Sequence, residues 1–176
     1  VQAKLLQLPG VQSASVERIW PQTVIIHIIA KGILGLWQDQ SLLADDGSFV
    51  QVDNFNHDII TQGLVKFIAP KTKQMQVAQF YQSIRPVLKS LPWRVKQIKL
   101  TGDLQWSIQF NNNTILKLGQ FNQVRRLKRF VTLFPQIFVN QNRQASYIDM
   151  RYTKGLAVKW KNVASDQNKK AKILTN

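Results

Sequence analysis

Residues 104–135, LQWSIQFNNNTILKLGQFNQVRRLKRFVTLFP, contain the change of period that decides the fold. Leu104, Trp106, Ile108 and Phe110 alternate with polar residues, as in a half-buried strand whose successive side chains point to opposite faces. Asn111-Asn112-Asn113 turns the chain, and Ile115, Leu116 and Leu118 continue as a second strand. From about Asn122 the period becomes helical. Val124, Leu127, Val131 and Phe134 then share one face, and Pro135 is expected to stop the helix.

The same alternation of periods recurs on both sides. Upstream, Val77, Phe80, Tyr81, Ile84, Leu88 and Leu91 predict a first helix over about 72–91, with Thr72 as N-cap and Pro86 as a kink or break. Short strands are expected at Leu34–Trp37, Ser41–Ala44, Phe49–Val52 and Val65–Ile68, with Asp45-Asp46-Gly47-Ser48 as a hairpin turn. Arg94–Thr101 alternates imperfectly. Downstream, Ser146–Tyr152 and Leu156–Trp160 form a closing strand pair about Thr153-Lys154-Gly155. At the start, Val1–Leu8 reads as the last turns of a helix ended by Pro9-Gly10. A hairpin follows, from Val11–Trp20 to Val24–Ile29 about Pro21-Gln22. That unit is half a domain. The chain is therefore α+β, divided near Lys31-Gly32 into residues 1–30 and 31–162, with a polar, lysine-bearing tail over 163–176 expected to be disordered.

Composition narrows the function. The 176 residues are 44% apolar, a globular balance, and carry 24 Lys+Arg against 9 Asp+Glu for a net charge of +15. Such a surface invites an anionic partner: nucleic acid, membrane headgroups or an acidic protein segment. The absence of cysteine removes disulfides, iron–sulfur clusters, thiolate zinc sites and Cys nucleophiles. The longest apolar run, Val24–Ala30, contains His27 and is far short of the ~20 residues of a membrane span.

Catalytic chemistry finds few candidates. His27 lies inside a strand, and His57 stands in a polar loop beside Asp58. Asp103 and Asp149 are the only carboxylates near the later strands, and Asp149 reads as a solvated face residue. Asp45, Asp46 and Asp53 lack calcium-loop spacing, and no phosphate-cradling glycine loop is present. No catalytic centre, metal site or cofactor is therefore expected. Arg125, Arg126, Lys128 and Arg129 cluster on the second helix. Arg125, Lys128 and Arg129 fall opposite the apolar face and are expected to be solvated without reading nucleic acid, although a basic nucleic-acid or anionic-surface binding module remains the alternative reading. The terminal strand pair is the stronger candidate for partner binding, because an edge strand leaves backbone groups that another strand can meet. Its lysines are also the usual protection against such pairing.

Several blocks together resemble one family. Leu8-Pro9-Gly10-Val11, Val16-Glu17-Arg18-Ile19-Trp20-Pro21 and Ile26-His27-Ile28 are similar to the end of a POTRA domain. Trp37-Gln38-Asp39-Gln40, Ala44-Asp45-Asp46-Gly47, Leu116-Lys117-Leu118-Gly119, Arg126-Leu127-Lys128-Arg129-Phe130, Phe134-Pro135, Tyr147-Ile148-Asp149-Met150-Arg151-Tyr152 and Gly155-Leu156-Ala157-Val158-Lys159-Trp160 continue the pattern in order. The set resembles the FtsQ/DivIB family in its proteobacterial form.

The resemblance implies a non-enzymatic scaffold of the divisome, linking early and late cell-division proteins at the septum. It implies a protein anchored in the inner membrane by an upstream helix, with this region in the periplasm: the C-terminal part of a POTRA domain, then a β-domain with an antiparallel sheet and two packed helices. The implied partners are FtsB and FtsL, with other divisome proteins meeting the POTRA domain and no nucleic acid. FtsB would add a strand at Arg151, Tyr152, Lys154, Gly155, Leu156, Ala157, Val158, Lys159 and Trp160, with Arg151 pairing a partner carboxylate and Tyr152 and Trp160 as anchors. The sequence departs from the family pattern at Ala30–Ile33, between the two units, and at Gly102-Asp103-Leu104, where family members carry basic residues.

Overall fold

A computed structural model describes residues 2–8, 10–38, 41–51, 63–138 and 143–161. The expected disordered tail and His57 lie outside these residues. A short helix α1 (Gln2–Leu5) leads into β1 (Val11–Ile19) and β2 (Thr23–Ala30), which pair antiparallel as a separate two-stranded sheet. Along this hairpin and its turn, Ile19, Trp20, Val24, Ile26, Ile28 and Ile29 stand exposed.

The second sheet has nine strands: β3 (Ile33–Trp37), β4 (Ser41–Ala44), β5 (Phe49–Val50), β6 (Val65–Ile68), β7 (Val95–Leu100), β8 (Trp106–Phe110), β9 (Ile115–Gly119), β10 (Ala145–Asp149) and β11 (Ala157–Trp160). Their order across the sheet is β11-β10-β9-β8-β7-β6-β3-β4-β5. The expected antiparallel sheet is corrected to a mixed one. Antiparallel pairs predominate, but β3–β6, β6–β7 and β9–β10 run parallel. For the last two of these pairs the reason lies in the helices. α2 (Gln74–Leu88) carries the chain from β6 back to the start of β7, and α3 (Gln123–Phe138) carries it from β9 to β10. A parallel neighbour requires such a crossover.

Both prolines lie inside their helices, Pro86 two residues before the last residue of α2 and Pro135 three before that of α3. α3 therefore continues past the expected stop at Pro135, and α2 runs on through Pro86, where a kink or break is expected. In α3 the last turn is held by packing. Phe134 and Phe138 lie edge-on to Trp93 at 4.8 and 4.9 Å between ring centroids. That burial offsets the missing proline N–H. Thr72 is not an N-cap; it lies in a 3-10 turn, Lys71–Lys73, that precedes α2.

The main core lies between one face of the sheet and the two helices. Phe67, Ile98, Ile108, Phe110, Leu116, Leu118 and Ile148 meet Ile84, Leu88, Leu127, Phe130 and Phe134 there. Leu36, Leu42, Ala44 and Val50 form a smaller cluster toward the β5 end of the sheet. Where the two sheets join, Lys31 N donates to Gly10 O at 2.8 Å, and Lys31 Nζ reaches Ser48 Oγ at 2.7 Å and Asp46 Oδ2 at 2.9 Å. Hydrogen bonds from the Ser48 and Lys31 side chains bring the Asp46 carboxyl down to about 2.

Phe130 is fully buried between Phe110, Phe134 and Trp93. Phe130→Ala should cost about 3–5 kcal/mol of folding stability, the range for emptying a buried aromatic site. Urea unfolding measures it, and a loss under about 1 kcal/mol would contradict the packing described.

A candidate partner-binding edge

β11 terminates the nine-stranded sheet. It pairs only with β10, through Ala145↔Trp160, Tyr147↔Lys159, Ile148↔Val158 and Asp149↔Ala157, so its other edge meets no strand among the described residues. The start of β10 is fixed by the buried Thr114, whose hydroxyl donates to Ala145 O at 2.8 Å. At the same end of the pair, just beyond Ala145↔Trp160, Lys161 N donates to Gln144 O at 2.7 Å.

Along β11 the side chains alternate. Val158 and Trp160 are half-buried against the core, whereas Ala157 and Lys159 are exposed. Trp160 leans edge-on against Phe138 at 5.6 Å, with the Arg143 guanidinium 5.4 Å from its ring. Trp160 therefore closes the core of its own chain while keeping one side open. Leu156 also packs on the core. Tyr152 is different: 59% of it is exposed, on a connection that belongs to no strand. The strand expected over Ser146–Tyr152 ends at Asp149, and Arg151, Tyr152, Thr153 and Lys154 are all exposed in the link to β11.

Two expectations about charge are corrected. Asp149 is not a solvated face residue; it is 6% exposed. Arg151 grips it, Nε to Oδ1 at 2.9 Å and Nη2 to Oδ2 at 2.7 Å, while Arg151 N also donates to Oδ1 at 3.0 Å. A carboxylate that enters the sheet interior needs such a partner, because burial without one is costly. The guanidinium expected to take a partner carboxylate already holds one of its own. The Arg151 side-chain bond lowers the Asp149 pKa, against the opposing effect of burial, and the same bond raises that of Arg151.

The second correction concerns the basic helix. Arg125 and Lys128 are exposed, as expected, but Arg129 turns inward. Its Nη1 donates to Thr153 O at 2.7 Å. Its Nη2 lies 2.7 Å from Tyr152 O, 3.0 Å from Met150 O and 3.1 Å from Gly155 O. Arg126 Nη1 donates to Leu118 O at 2.5 Å and Nη2 to Arg151 O at 3.2 Å. The spacing of Arg126 and Arg129 puts them on one side of the helix. Nothing in the sequence shows that acceptors wait there, because all of those carbonyls except that of Leu118 belong to a loop more than twenty residues later.

His27 is exposed on β2, and Asp103 is exposed and accepts a hydrogen bond from the Thr101 hydroxyl. Among the described residues no group of three or more His, Asp or Glu is placed to hold a metal ion, and no helix is long and apolar enough to cross a membrane.

The family profile described as cell division protein FtsQ/DivIB, C-terminal, matches residues 35–151, and the FtsQ-type POTRA domain profile matches residues 1–29. The chain belongs to the FtsQ/DivIB family. The protein named cell division protein FtsQ in Haemophilus influenzae is 30% identical over 158 residues, which is 90% of this chain and 61% of the relative. Its namesakes in Coxiella burnetii and Escherichia coli are 28% and 29% identical, over 92% and 88% of this chain and 65% and 56% of their own lengths. The chain thus spans about three fifths of these relatives. The FtsQ/DivIB C-terminal match ends at residue 151, short of Tyr152 and β11.

The Asp149–Arg151 pair has a pH signature. The folded-state pKa of Asp149 lies below the unfolded one, so the pair stabilises above about pH 4 and the contribution is lost as pH falls through the lowered pKa. Asp149→Asn should lower the urea midpoint at neutral pH and flatten its acid decline. Midpoints that fall equally steeply with acid in both proteins would remove Asp149 from the account.

Proposed function

We propose that this chain is a non-enzymatic scaffold piece of the cell-division machinery that captures an extended, acidic partner segment as an added strand on β11. The observation that carries the reading is the position of β11 at the end of the sheet with one edge unpaired. Backbone groups on that edge supply affinity with little demand on the partner's sequence, and side chains set the register. Tyr152, ahead of β11, is the exposed anchor and Trp160, at the strand's other end, a half-buried one, since large aromatics dominate interface energetics. Lys154 and Lys159, both exposed, favour an acidic segment and mainly speed its encounter. Gly155, Leu156, Ala157 and Val158 complete the path of the added strand.

By family, the segment is the C-terminal part of FtsB, delivered with FtsL. The protein is held at the inner membrane by a helix upstream of this region, and this region is periplasmic. The exposed apolar residues of β1 and β2 are where the remainder of a POTRA domain packs, and the two units divide at about residues 30–31. The nucleic-acid reading loses ground because Arg126 and Arg129, two of the four cations in the α3 cluster, already serve carbonyls of the chain itself.

Tyr152→Ala is the cleanest test, because so exposed a side chain adds little to folding. Binding of an FtsB segment, followed by calorimetry, should weaken by about 2 kcal/mol or more. Ala157→Pro, which removes one backbone donor of β11, tests strand addition itself. Unchanged affinity in well-folded versions of both variants would refute the site.

A further inference from the structure

Between β10 and β11 the chain leaves the ladder for the residues from Met150 to Leu156, so their carbonyls lose the partners a strand would provide. Five of the six carbonyls from Met150 to Gly155 are instead met by two arginines of α3. Arg129 takes those of Met150, Tyr152, Thr153 and Gly155, and Arg126 takes that of Arg151. Arg129 Nε is buried without an acceptor among the described residues, so its two Nη groups set the orientation of the side chain.

The side chains of the same segment do the opposite. Arg151, Tyr152, Thr153 and Lys154 all stand in solvent. The fold orders this backbone and, past the Arg151–Asp149 pair, leaves the side chains of Tyr152, Thr153 and Lys154 in solvent, an arrangement that adds little to the core and much to presentation. We propose that Arg129, supported by Arg126, is a positioning residue: its guanidinium, caged by loop carbonyls, holds the Tyr152 segment and the start of β11 in the shape that receives the partner strand. Ordering done in advance is ordering that association need not supply. The planar fork is what the task requires. Its donors spread in one plane toward several carbonyls, whereas a lysine ammonium is a compact charge that cannot span them.

Gly119, at the end of β9, belongs to the same arrangement. Its φ is +76°, and a Cβ there would lie 2.7 Å from Arg126 Nη1 and 3.0 Å from Arg151 Cγ. The backbone is bare where the second arginine passes to reach Leu118 O and Arg151 O.

The binding arm of the test rests on the strand-addition reading; the backbone arm does not. In the intact protein, Arg129→Ala and Arg129→Lys should each raise amide hydrogen exchange across residues 151–160 by about tenfold or more, with β7–β9 exchanging as in the parent. Affinity for a labelled acidic peptide corresponding to the FtsB C-terminal segment should fall by a similar factor. Millimolar guanidinium, but not an equal concentration of sodium chloride, should restore part of both in Arg129→Ala. Parental exchange over 151–160 in both variants would overturn the proposal. So would faster exchange throughout the sheet, which would make Arg129 a general stability residue, or faster local exchange with unaltered peptide affinity. If the peptide fails to bind the parent protein, strand addition fails as the function, and exchange with guanidinium rescue still decides whether Arg129 holds the loop.

Discussion

Parallel pairing of β9 with β10 is the constraint on which this end of the molecule depends. A strand can lie parallel to its predecessor only if the chain leaves the sheet, travels back its length and re-enters from the same end. α3 makes that journey, and its apolar face must then cover the sheet it crosses. Phe130, Phe134 and Phe138 do so together with Trp93, and Phe138 passes the contact on to Trp160 in the last strand. The edge strand is thereby tied to the core through an aromatic chain as well as through its ladder with β10.

The same helix places a second set of groups where the core ends. Leu127 and Phe130 are buried, and Arg126 and Arg129 beside them reach the carbonyls of the loop that follows β10. Apolar burial and hydrogen bonding are distributed along one element according to what each side of it meets. The +15 charge is correspondingly not one uniform surface. Some cations are spent inside the chain, as at Arg126, Arg129 and Arg151, while Lys154 and Lys159 stand in solvent.

In the proposed role these features divide the work. The unpaired edge of β11 offers generic backbone affinity, and the Tyr152 loop offers a specific anchor beside it. Asp149 and Arg151 close the end of β10 with an internal ion pair, so the register of β11 against its neighbour does not depend on the partner. Lysines that guard a free edge against indiscriminate pairing also select for an acidic segment, so protection and specificity come from the same residues.

The α+β class, both helices, the N-terminal hairpin, the closing strand pair and the family were legible in the sequence, because each is written in local periodicity, turn residues and ordered short blocks. Trp106, Ile108 and Phe110 alternate in the sequence and are buried in the structure. What tertiary structure alone decided were matters between distant residues. Whether β9 and β10 run parallel depends on where α3 returns, not on the composition of either strand. The proline stop signal at Pro135 was overridden by packing of Phe134 and Phe138 on Trp93 that a local reading cannot see. Asp149 looked like a solvent-facing residue because alternation gives a side but not what covers it, and Arg151 two residues later supplied the cover. Arg129 looked solvated because it lies off the apolar stripe, yet carbonyls of Met150, Tyr152, Thr153 and Gly155 meet it there. Periodicity records which residues avoid water; it does not record where the backbone of a later loop will need donors.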